Sequence, residues 1–209
     1  MKIKQLPLGA LQTNCYIIHD ETDAIIIDPG ADGNIVGNYL KEMHVHPIAI
    51  LLTHAHFDHI GAVDELRKEF NLDVYLHEKE QSWLEDSLLN GSQLFGVTAP
   101  IKTSPAEKTL EEGLLTLGKF KMEVCYTPGH SPGSVSFLFK EEGFGVVGDT
   151  LFQGSIGRTD LPGGDHNQLL HSIKEKLLSC SDELTVYPGH GPQTTIGIER
   201  KINPFLQRI

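Results

Sequence analysis

The chain has 209 residues, which is enough for one domain with a substantial hydrophobic core. Its net charge of −11 argues against a general nucleic-acid-binding surface and against binding to anionic membranes. No apolar run approaches the roughly 20 residues of a membrane-spanning helix. Residues 1–6 also lack the apolar core of a signal peptide. We therefore expect a cytoplasmic protein.

The predicted elements alternate irregularly between strands and helices. Apolar, β-branched runs predict strands over 15–19, 24–27, 48–52, 74–76, 114–117, 120–127, 134–139, 145–147 and 184–187. Helical spacing predicts helices over 34–43, 64–70, 79–90, 167–178 and 196–209, the last ending near Asn203-Pro204. Residues 91–105 have no clear period and predict a loop. This order favours an α/β four-layer αββα sandwich, with two mixed sheets flanked by helices, over a single parallel sheet. We expect a single domain spanning 1–209.

The strongest chemical signal is the run Thr53-His54-Ala55-His56-Phe57-Asp58-His59, an HxHxDH motif. It follows a predicted buried strand and precedes a predicted helix, so it occupies a loop at the carboxyl end of a strand, where α/β proteins place binding sites. Imidazole and carboxylate groups together suit Zn²⁺, Fe²⁺ or Mn²⁺. The motif therefore predicts a metal site.

Three further segments repeat one pattern, a strand followed by a glycine-rich turn that carries a metal-binding side chain. Their ligand candidates are His130, Asp149 and His190. Glycine at a strand end permits a tight turn and close approach of the backbone to a metal. One such segment alone is weak evidence. Together with the HxHxDH loop there are four, each after a predicted strand, and this series favours a shared metal centre.

The spacing divides the candidates into two ligand sets. On an extended segment His54 and His56 point the same way, and with His130 they form a face of three histidines. The second set is Asp58, His59 and His190. Asp149 supplies a carboxylate oxygen between the two metals, which are expected to lie about 3.5–4 Å apart. The sequence thus predicts two divalent metal ions, with Zn²⁺ favoured and iron or manganese as alternatives.

These motifs resemble those of the metallo-β-lactamase superfamily, and within it the short bacterial glyoxalase II-like (hydroxyacylglutathione hydrolase-like) branch. The resemblance covers nearly the whole chain and includes the segments 13–16, 28–30, 53–59, 127–133, 148–152, 155–165 and 189–191. It implies the αββα fold and a dinuclear metal centre. It also favours Arg158 as a substrate-binding residue over an ordinary solvated charge.

The leading hypothesis is hydrolysis of a small-molecule acyl thioester such as S-2-hydroxyacylglutathione, by a hydroxide that bridges the metals. Asp58 is the catalytic residue in this hypothesis, since it orients the hydroxide while binding the second metal. Asp28, at a predicted strand end, is expected to orient a ligand histidine rather than serve only as a turn carboxylate. The thiol carrier, acyl group and oligomeric state are left open.

Two other functions compete with hydrolysis as readings of the same motifs. A persulfide dioxygenase would hold a single non-haem iron through His54, His130 and Asp149 and leave positions open for O₂. A non-catalytic metal-bound scaffold is disfavoured by the complete ligand set. The three cysteines are odd in number and far apart, so they predict neutral thiols rather than a disulfide framework or a nucleophile.

Overall fold

The computed structural model describes residues 1–207, which divide into two compact units. The first unit comprises Met1–Leu110 with Leu117–Lys119, and the second comprises Glu111–Thr116 with the chain from Phe120 onward. Within the described residues each unit is organised around one six-stranded sheet. The single-domain assignment stays a prediction.

The sheet of the first unit is mixed. Its strands follow the chain in order: β1 (Lys2–Leu8), β2 (Thr13–His19), β3 (Asp23–Ile27), β4 (His46–Leu51), β5 (Val74–His77) and β6 (Lys108–Leu110). Strands β1 to β3 pair antiparallel, whereas β3 to β6 pair parallel. Ile27 is in register with Leu51, so the residues that follow β3 and β4 leave the sheet side by side. This pairing brings Asp28 and the HxHxDH loop to the same edge.

Helices of the first unit pack on this sheet through apolar faces. They are α1 (Gly33–Glu42), the short α2 (Phe57–Ile60) and α3 (Val63–Phe70). Val36, Leu40, Val63 and Leu66 are fully or almost fully buried in one core cluster with apolar residues of β2 to β5. The structure confirms the helices predicted over 34–43 and 64–70.

The helix predicted over 79–90 is wrong beyond its first part. The structure has a 3-10 helix at Glu78–Leu84, followed by turns. The Asp86 carboxylate accepts hydrogen bonds from the backbone N–H groups of Leu88 and Leu89, at 2.9 and 3.2 Å. A short acidic side chain that bonds its neighbours' amides competes with helical backbone bonding, so the chain turns here instead.

The second unit contains the other mixed sheet and a small ribbon. In chain order its strands are β7 (Gly113–Leu117), β8 (Phe120–Tyr126), β9 (Val135–Phe139), β10 (Phe144–Gly148), β11 (Leu151–Phe152), β12 (Ser155–Ile156), β13 (Thr185–Pro188) and β14 (Thr194–Thr195). The sheet order is β14-β13-β10-β9-β8-β7, with β10 and β13 parallel, and β11 pairs with β12 in the ribbon. The parallel pair places the residues after β10 and after β13 at one sheet edge.

The helices of this unit also follow the predictions closely. The helical segment α4 (His166–Ser172) begins after Asp165, whose side chain caps it by accepting from Gln168 N, and it continues as a π-helix at Ile173–Leu177. Its buried apolar residues pack with β13 in a second core cluster. The last helix, α5 (Ile196–Ile202), ends just before Asn203, as predicted, and the predicted residues 208–209 lie outside the described part of the chain.

The three thiols are held in their neutral form. Burial raises the pKa of Cys15 well above its ordinary value and raises that of Cys125 to about 12. Burial also raises the pKa of the half-buried Cys180. None of these thiols is a nucleophile near neutral pH, in agreement with the sequence prediction.

Within residues 1–207, no helix combines the length and the apolar character that crossing a bilayer requires.

Candidate metal centre

The HxHxDH loop lies directly after β4, and its histidines are buried. His54, His56 and His59 are at most 4% exposed. The ring centroids of His54 and His56 are 4.8 Å apart, and those of His54 and His59 are 4.1 Å apart. Three imidazoles packed this tightly in a buried loop form a compact group of nitrogen donors.

Asp28 anchors this loop to the end of β3. Its backbone has a φ of 52°, in the left-handed region that Asp tolerates better than most residues. One carboxylate oxygen, Oδ1, accepts from Thr53 N at 2.8 Å. The other, Oδ2, accepts from Thr53 Oγ1 at 2.6 Å and from His59 Nδ1 at 2.9 Å. A buried carboxylate thus accepts three hydrogen bonds from two residues of the loop.

This network fixes the tautomers of two histidines. His59 donates its Nδ1 proton to Asp28, which leaves Nε2 as the lone-pair nitrogen. The Thr53 hydroxyl gives its proton to Asp28, so Thr53 Oγ1 must accept from His54 Nδ1, 3.0 Å away. Both histidines therefore present Nε2 as the donor atom, which is the protonation state that a metal ligand needs.

Asp28 also belongs to a group of three residues whose possible ligand atoms lie within 4.8 Å of one another, with His54 and His59. Because both Asp28 oxygens already accept protons from the loop, we assign this carboxylate to orienting the histidines rather than to the metal. The sequence predicts that Asp28 orients a ligand histidine, and its hydrogen bond with His59 is a contact of that kind.

Asp58 is held by a residue that the sequence reasoning did not single out for a role. The buried Thr13 donates its hydroxyl proton to Asp58 Oδ2 at 2.7 Å. The same Asp58 oxygen lies 3.6 Å from His59 Nε2, a separation suited to two ligands of one ion. The only sequence signal for Thr13 was its place in the family-like segment 13–16. The structure gives that threonine a specific partner, 45 residues away.

Tight packing around this loop requires glycine at position 30. A Cβ added to Gly30 would lie 1.6 Å from the Asp58 carbonyl oxygen, and one added to Gly61 would lie 2.3 Å from the Gly30 carbonyl oxygen. No side chain fits at either position, since real Cβ atoms do not approach other atoms this closely. The Asp28-Pro29-Gly30 turn thus lets the chain after β3 lie directly against the backbone of the metal loop.

Glu80 is a second residue that sequence reasoning missed. It is completely buried in the 3-10 helix, and its Oε2 accepts from Ala55 N at 2.6 Å. Ala55 lies between His54 and His56, so this bond ties down the backbone between two candidate ligands. Trp83, from the same helix, packs against the His56 ring with centroids 5.7 Å apart. The only signal in the sequence was a glutamate within an ordinary polar run.

Replacing Glu80 tests this anchoring. Glu80→Ala leaves Ala55 N–H without its acceptor and is expected to weaken zinc binding by about 10–100-fold, the usual cost of losing a group that orients ligands. Glu80→Gln keeps an oxygen acceptor and should bind zinc almost as tightly as the wild type. Competition with a chromogenic chelator measures the affinities. The amide proton shift of Ala55 reports the hydrogen bond without any metal.

A matched control is Glu199→Ala. Glu199 is equally buried and accepts from a backbone amide, that of Gly154, at 2.9 Å, but it contacts no residue of the metal loop among its described hydrogen bonds. Glu199→Ala should lower the free energy of unfolding and leave zinc affinity unchanged. Equal zinc affinity in Glu80→Ala and the wild type would show that Glu80 does not position the ligands.

The second unit carries the other three candidate ligands at its own sheet edge. His130 follows β8, Asp149 follows β10, and His190 follows β13. Asp149 Oδ2 lies 3.5 Å from His130 Nε2 and 3.6 Å from His190 Nε2. The carboxylate oxygen thus lies close to both imidazoles, as expected for a carboxylate that binds a metal ion together with each of them. The structure brings these three residues together within the unit.

His130 is also oriented from behind. Its Nδ1 lies 2.8 Å from the Arg158 carbonyl oxygen, which only accepts, so Nδ1 carries the proton and Nε2 the lone pair. A Cβ added to Gly157 would lie 1.9 Å from the Asp149 carbonyl oxygen. Glycine at position 157 therefore lets the segment that follows β12 pack against the backbone of Asp149. The next residue, Arg158, places its carbonyl oxygen against His130.

The Arg158 side chain has a partner of its own. Its guanidinium donates two hydrogen bonds to the carboxylate of Asp160, from Nε at 2.7 Å and from Nη2 at 2.8 Å. This ion pair holds the pKa of Asp160 at about 2. Both side chains are largely exposed. An anionic substrate would share the guanidinium with Asp160, which uses two of its N–H donors. The substrate-binding role of Arg158 stays a prediction.

The donor chemistry of both units fits a divalent metal. Buried imidazoles with Nε2 lone pairs, together with carboxylates beside them, are the ligands that Zn²⁺, Fe²⁺ and Mn²⁺ take in hydrolytic centres. Each unit has a mixed sheet with helices, and each carries such donors on the turns that follow its strands. These features define a metal-binding α/β enzyme.

A family model supports the same assignment. The model described as "Metallo-beta-lactamase superfamily" matches residues 8–190. The chain belongs to the metallo-beta-lactamase superfamily, and it is a metallo-hydrolase of that superfamily with candidate metal-binding His and Asp groups.

Two curated relatives align over almost their full lengths. The chain is 48% identical to the probable metallo-hydrolase YqgX of Bacillus subtilis (strain 168), covering 99% of this chain and 98% of that protein. It is 39% identical to the hydroxyacylglutathione hydrolase GloC of Haemophilus influenzae, with the same coverage. The family resemblance seen in the sequence is therefore confirmed.

Solved structures confirm the fold class. The B3 metallo-beta-lactamase BLEG-1 superposes with a TM-score of 0.96 at 53% identity, covering 99% of this chain and all of that one. TTHA1623, solved in a di-iron-bound form, gives 0.88 at 42% identity, with 97% and 100% coverage. ETHE1 from Myxococcus xanthus gives 0.77 at 28% identity, with 98% and 84% coverage.

Proposed function

We propose that the chain hydrolyses acyl thioesters at a dinuclear metal centre. His54, His56 and His130 hold one ion in this proposal. Asp58, His59 and His190 hold the other, and Asp149 contributes to both. The observation that carries the metal assignment is the buried network around Asp28, which makes His54 and His59 present Nε2 as the donor atom.

The choice of thioesters as substrates rests on sequence similarity to a named relative. The relative from Haemophilus influenzae, 39% identical over 99% of this chain, is named a hydroxyacylglutathione hydrolase. In the reaction, water adds to the thioester carbonyl carbon, the C–S bond breaks, and the products are a carboxylate and a thiol. Bound divalent ions would polarise the carbonyl and make water nucleophilic near neutral pH.

The roles of the protein groups follow from their contacts. Asp58 orients the attacking water, and the Thr13 hydroxyl on its Oδ2 restricts the rotation of that carboxylate. Asp28 and the Arg158 carbonyl hold the ligand imidazoles at fixed angles. Because these groups are set before substrate arrives, little reorganisation is needed during the reaction. Arg158 remains a proposed contact for a substrate carboxylate.

Two other reactions compete with thioester hydrolysis. The 53% identical BLEG-1 is described as a B3 metallo-beta-lactamase, which favours β-lactam hydrolysis as a second candidate. The persulfide dioxygenase hypothesis, in which His54, His130 and Asp149 would hold one iron, is the third candidate. The metal is open as well, since TTHA1623 was solved with two iron ions.

One set of measurements separates the three reactions. We expect protein purified without chelators to contain about two first-row metal ions per chain, because each ion has its own set of ligand candidates. It should release thiol from S-lactoylglutathione without taking up O₂. The assay combines elemental analysis, a thiol reagent and an oxygen electrode, with nitrocefin and glutathione persulfide as the competing substrates.

The outcomes are distinct. One iron per chain and O₂ uptake with the persulfide, without thiol release from any thioester, would establish the dioxygenase instead. Rapid nitrocefin cleavage with inert thioesters would establish a β-lactamase. Loss of thiol release on chelation, and recovery when Zn²⁺, Fe²⁺ or Mn²⁺ is restored, identifies the metal that supports catalysis.

A further inference from the structure

A cavity in the first unit lies beside Asp58 and is almost entirely apolar. Its volume is about 210 Å³. Among the described residues, the only polar side chains that line it are Thr13 and Asp58, and the Thr13 hydroxyl is already bonded to the Asp58 carboxylate. Its apolar side chains come from four segments of the chain and include Leu8, Leu11, Ala31, Phe57, Val97 and Ile101.

The surroundings of the cavity are apolar too. Leu11 is 49% exposed. Phe95, which is 47% exposed, packs at an angle against Phe57, with ring centroids 5.5 Å apart. Scattered exposed apolar residues are ordinary on a protein surface. Apolar residues grouped around a concave site beside a catalytic carboxylate are typical of a ligand-binding site.

We propose that this cavity binds the acyl chain of the substrate and that the preferred substrates are thioesters of apolar acids several carbons long. The inference rests on the proposed thioester hydrolase function. The α-carbon of the acyl chain and the thiol sulfur are both bonded to the carbonyl carbon that Asp58 serves, so both ends of the substrate begin close to this residue. The character of the lining decides which end enters the cavity.

The negative charge of Asp58 in the cavity lining excludes the thiol carrier, which is the other end of the substrate. Within residues 1–207 the cavity lining contains a carboxylate and no Lys, Arg or His, so it repels anionic groups. A glutathione carrier has two carboxylates and does not fit such a lining. An apolar chain fits, and the volume accommodates on the order of six or seven groups the size of a water molecule.

The expected signature is a dependence on acyl chain length. In a series of S-acylglutathiones from acetyl to octanoyl, the carrier is constant and only the acyl chain varies. Wild-type kcat/KM should rise about fourfold for each added methylene, the change that corresponds to about 0.8 kcal/mol of burial, until the cavity is full. Val97→Asp places a second carboxylate in the lining and should abolish this rise.

Leu94→Asp is the matched control. Leu94 lies three residues before Val97 and is 54% exposed, but it does not line the cavity. The same substitution there should leave both the activity and its chain-length dependence unchanged. Equal effects of the two variants would mean that added charge on this segment, not the cavity, alters the kinetics, and the proposal would fall.

A binding measurement keeps the test independent of turnover. S-octylglutathione is a thioether that cannot be hydrolysed, and calorimetry on the metal-loaded protein compares it with S-methylglutathione. The octyl compound should bind at least tenfold more tightly to the wild type and to Leu94→Asp, but not to Val97→Asp. Equal binding of the two thioethers to the wild type overturns the cavity proposal.

The two proposals fail in different ways. Thiol release from every thioester at a rate independent of chain length leaves the hydrolase intact and removes the acyl site. Absence of thiol release from the whole series removes the hydrolase. Tight octyl binding that depends on Val97 would then still establish an apolar ligand site.

Discussion

Asp58→Asn is expected to lower kcat by about 10²–10⁴-fold while changing KM little, because a neutral amide is a weaker hydrogen-bond acceptor than a carboxylate and orients the attacking water less well. The substitution is nearly isosteric, and the amide oxygen can still accept from the Thr13 hydroxyl. The loss is therefore expected in the transition state rather than in substrate binding. Steady-state kinetics with S-lactoylglutathione measures both constants.

Metal loss is the main confounder of this experiment, since Asp58 is also a proposed ligand. Metal content is measured in the same preparation, and kinetics are repeated with added Zn²⁺. Asp64→Asn is the matched control. Asp64 is a partly exposed carboxylate of the same unit that bonds Thr103 and Ser104, and its variant should retain wild-type kcat. A fully metallated Asp58→Asn with normal kcat would remove Asp58 from the mechanism.

Much of the fold was predictable from local patterns. The buried strand before His54 and the strand ends before His130, Asp149 and His190 are all present. Apolar β-branched runs report burial on both faces of a strand, and glycine-rich turns mark where such strands end. These signals are local, so the sequence alone located the candidate ligands.

The supporting residues were harder to predict because their partners are distant in sequence. Thr13 meets Asp58 across 45 residues, and Glu80 meets Ala55 across 25. Threonine and glutamate are common in surface segments, and nothing in their neighbours distinguishes a buried role. The antiparallel pairing of β2 with β3 and the parallel pairing of β3 with β4 bring Thr13 to the loop, and the path of the chain after β5 brings Glu80 there. Asp28 was the exception, because a carboxylate at a strand end is itself a signal.

Asp28→Asn is the variant that separates metal orientation from simple packing. The asparagine amide keeps one oxygen acceptor, which the Thr53 backbone N–H requires because it cannot give up its proton. The NH₂ group then takes the place of Oδ2 and faces two donors, the Thr53 hydroxyl and His59 Nδ1–H. The least costly response for His59 is to move its proton to Nε2, the nitrogen proposed to bind the metal. We expect affinity for the second ion to fall about 100-fold, near the upper end for lost orienting groups.

Asp32→Asn provides the control for this variant. Asp32 also lies in the left-handed region, with a φ of 49°, and its carboxylate accepts from a backbone amide, that of Gly9, at 2.8 Å. It contacts no ligand candidate in its described hydrogen bonds, so its variant should bind two ions normally.

Zinc titration with calorimetry gives the affinities, and long-range ¹⁵N–¹H NMR correlations of the imidazoles report the tautomers in the metal-free protein. If His59 keeps its proton on Nδ1 in Asp28→Asn and both ions bind as in the wild type, the carboxylate does not set the tautomer. If His59 shifts its proton to Nε2 and one ion is lost, a single buried carboxylate directly after β3 determines whether the HxHxDH loop can hold its second metal.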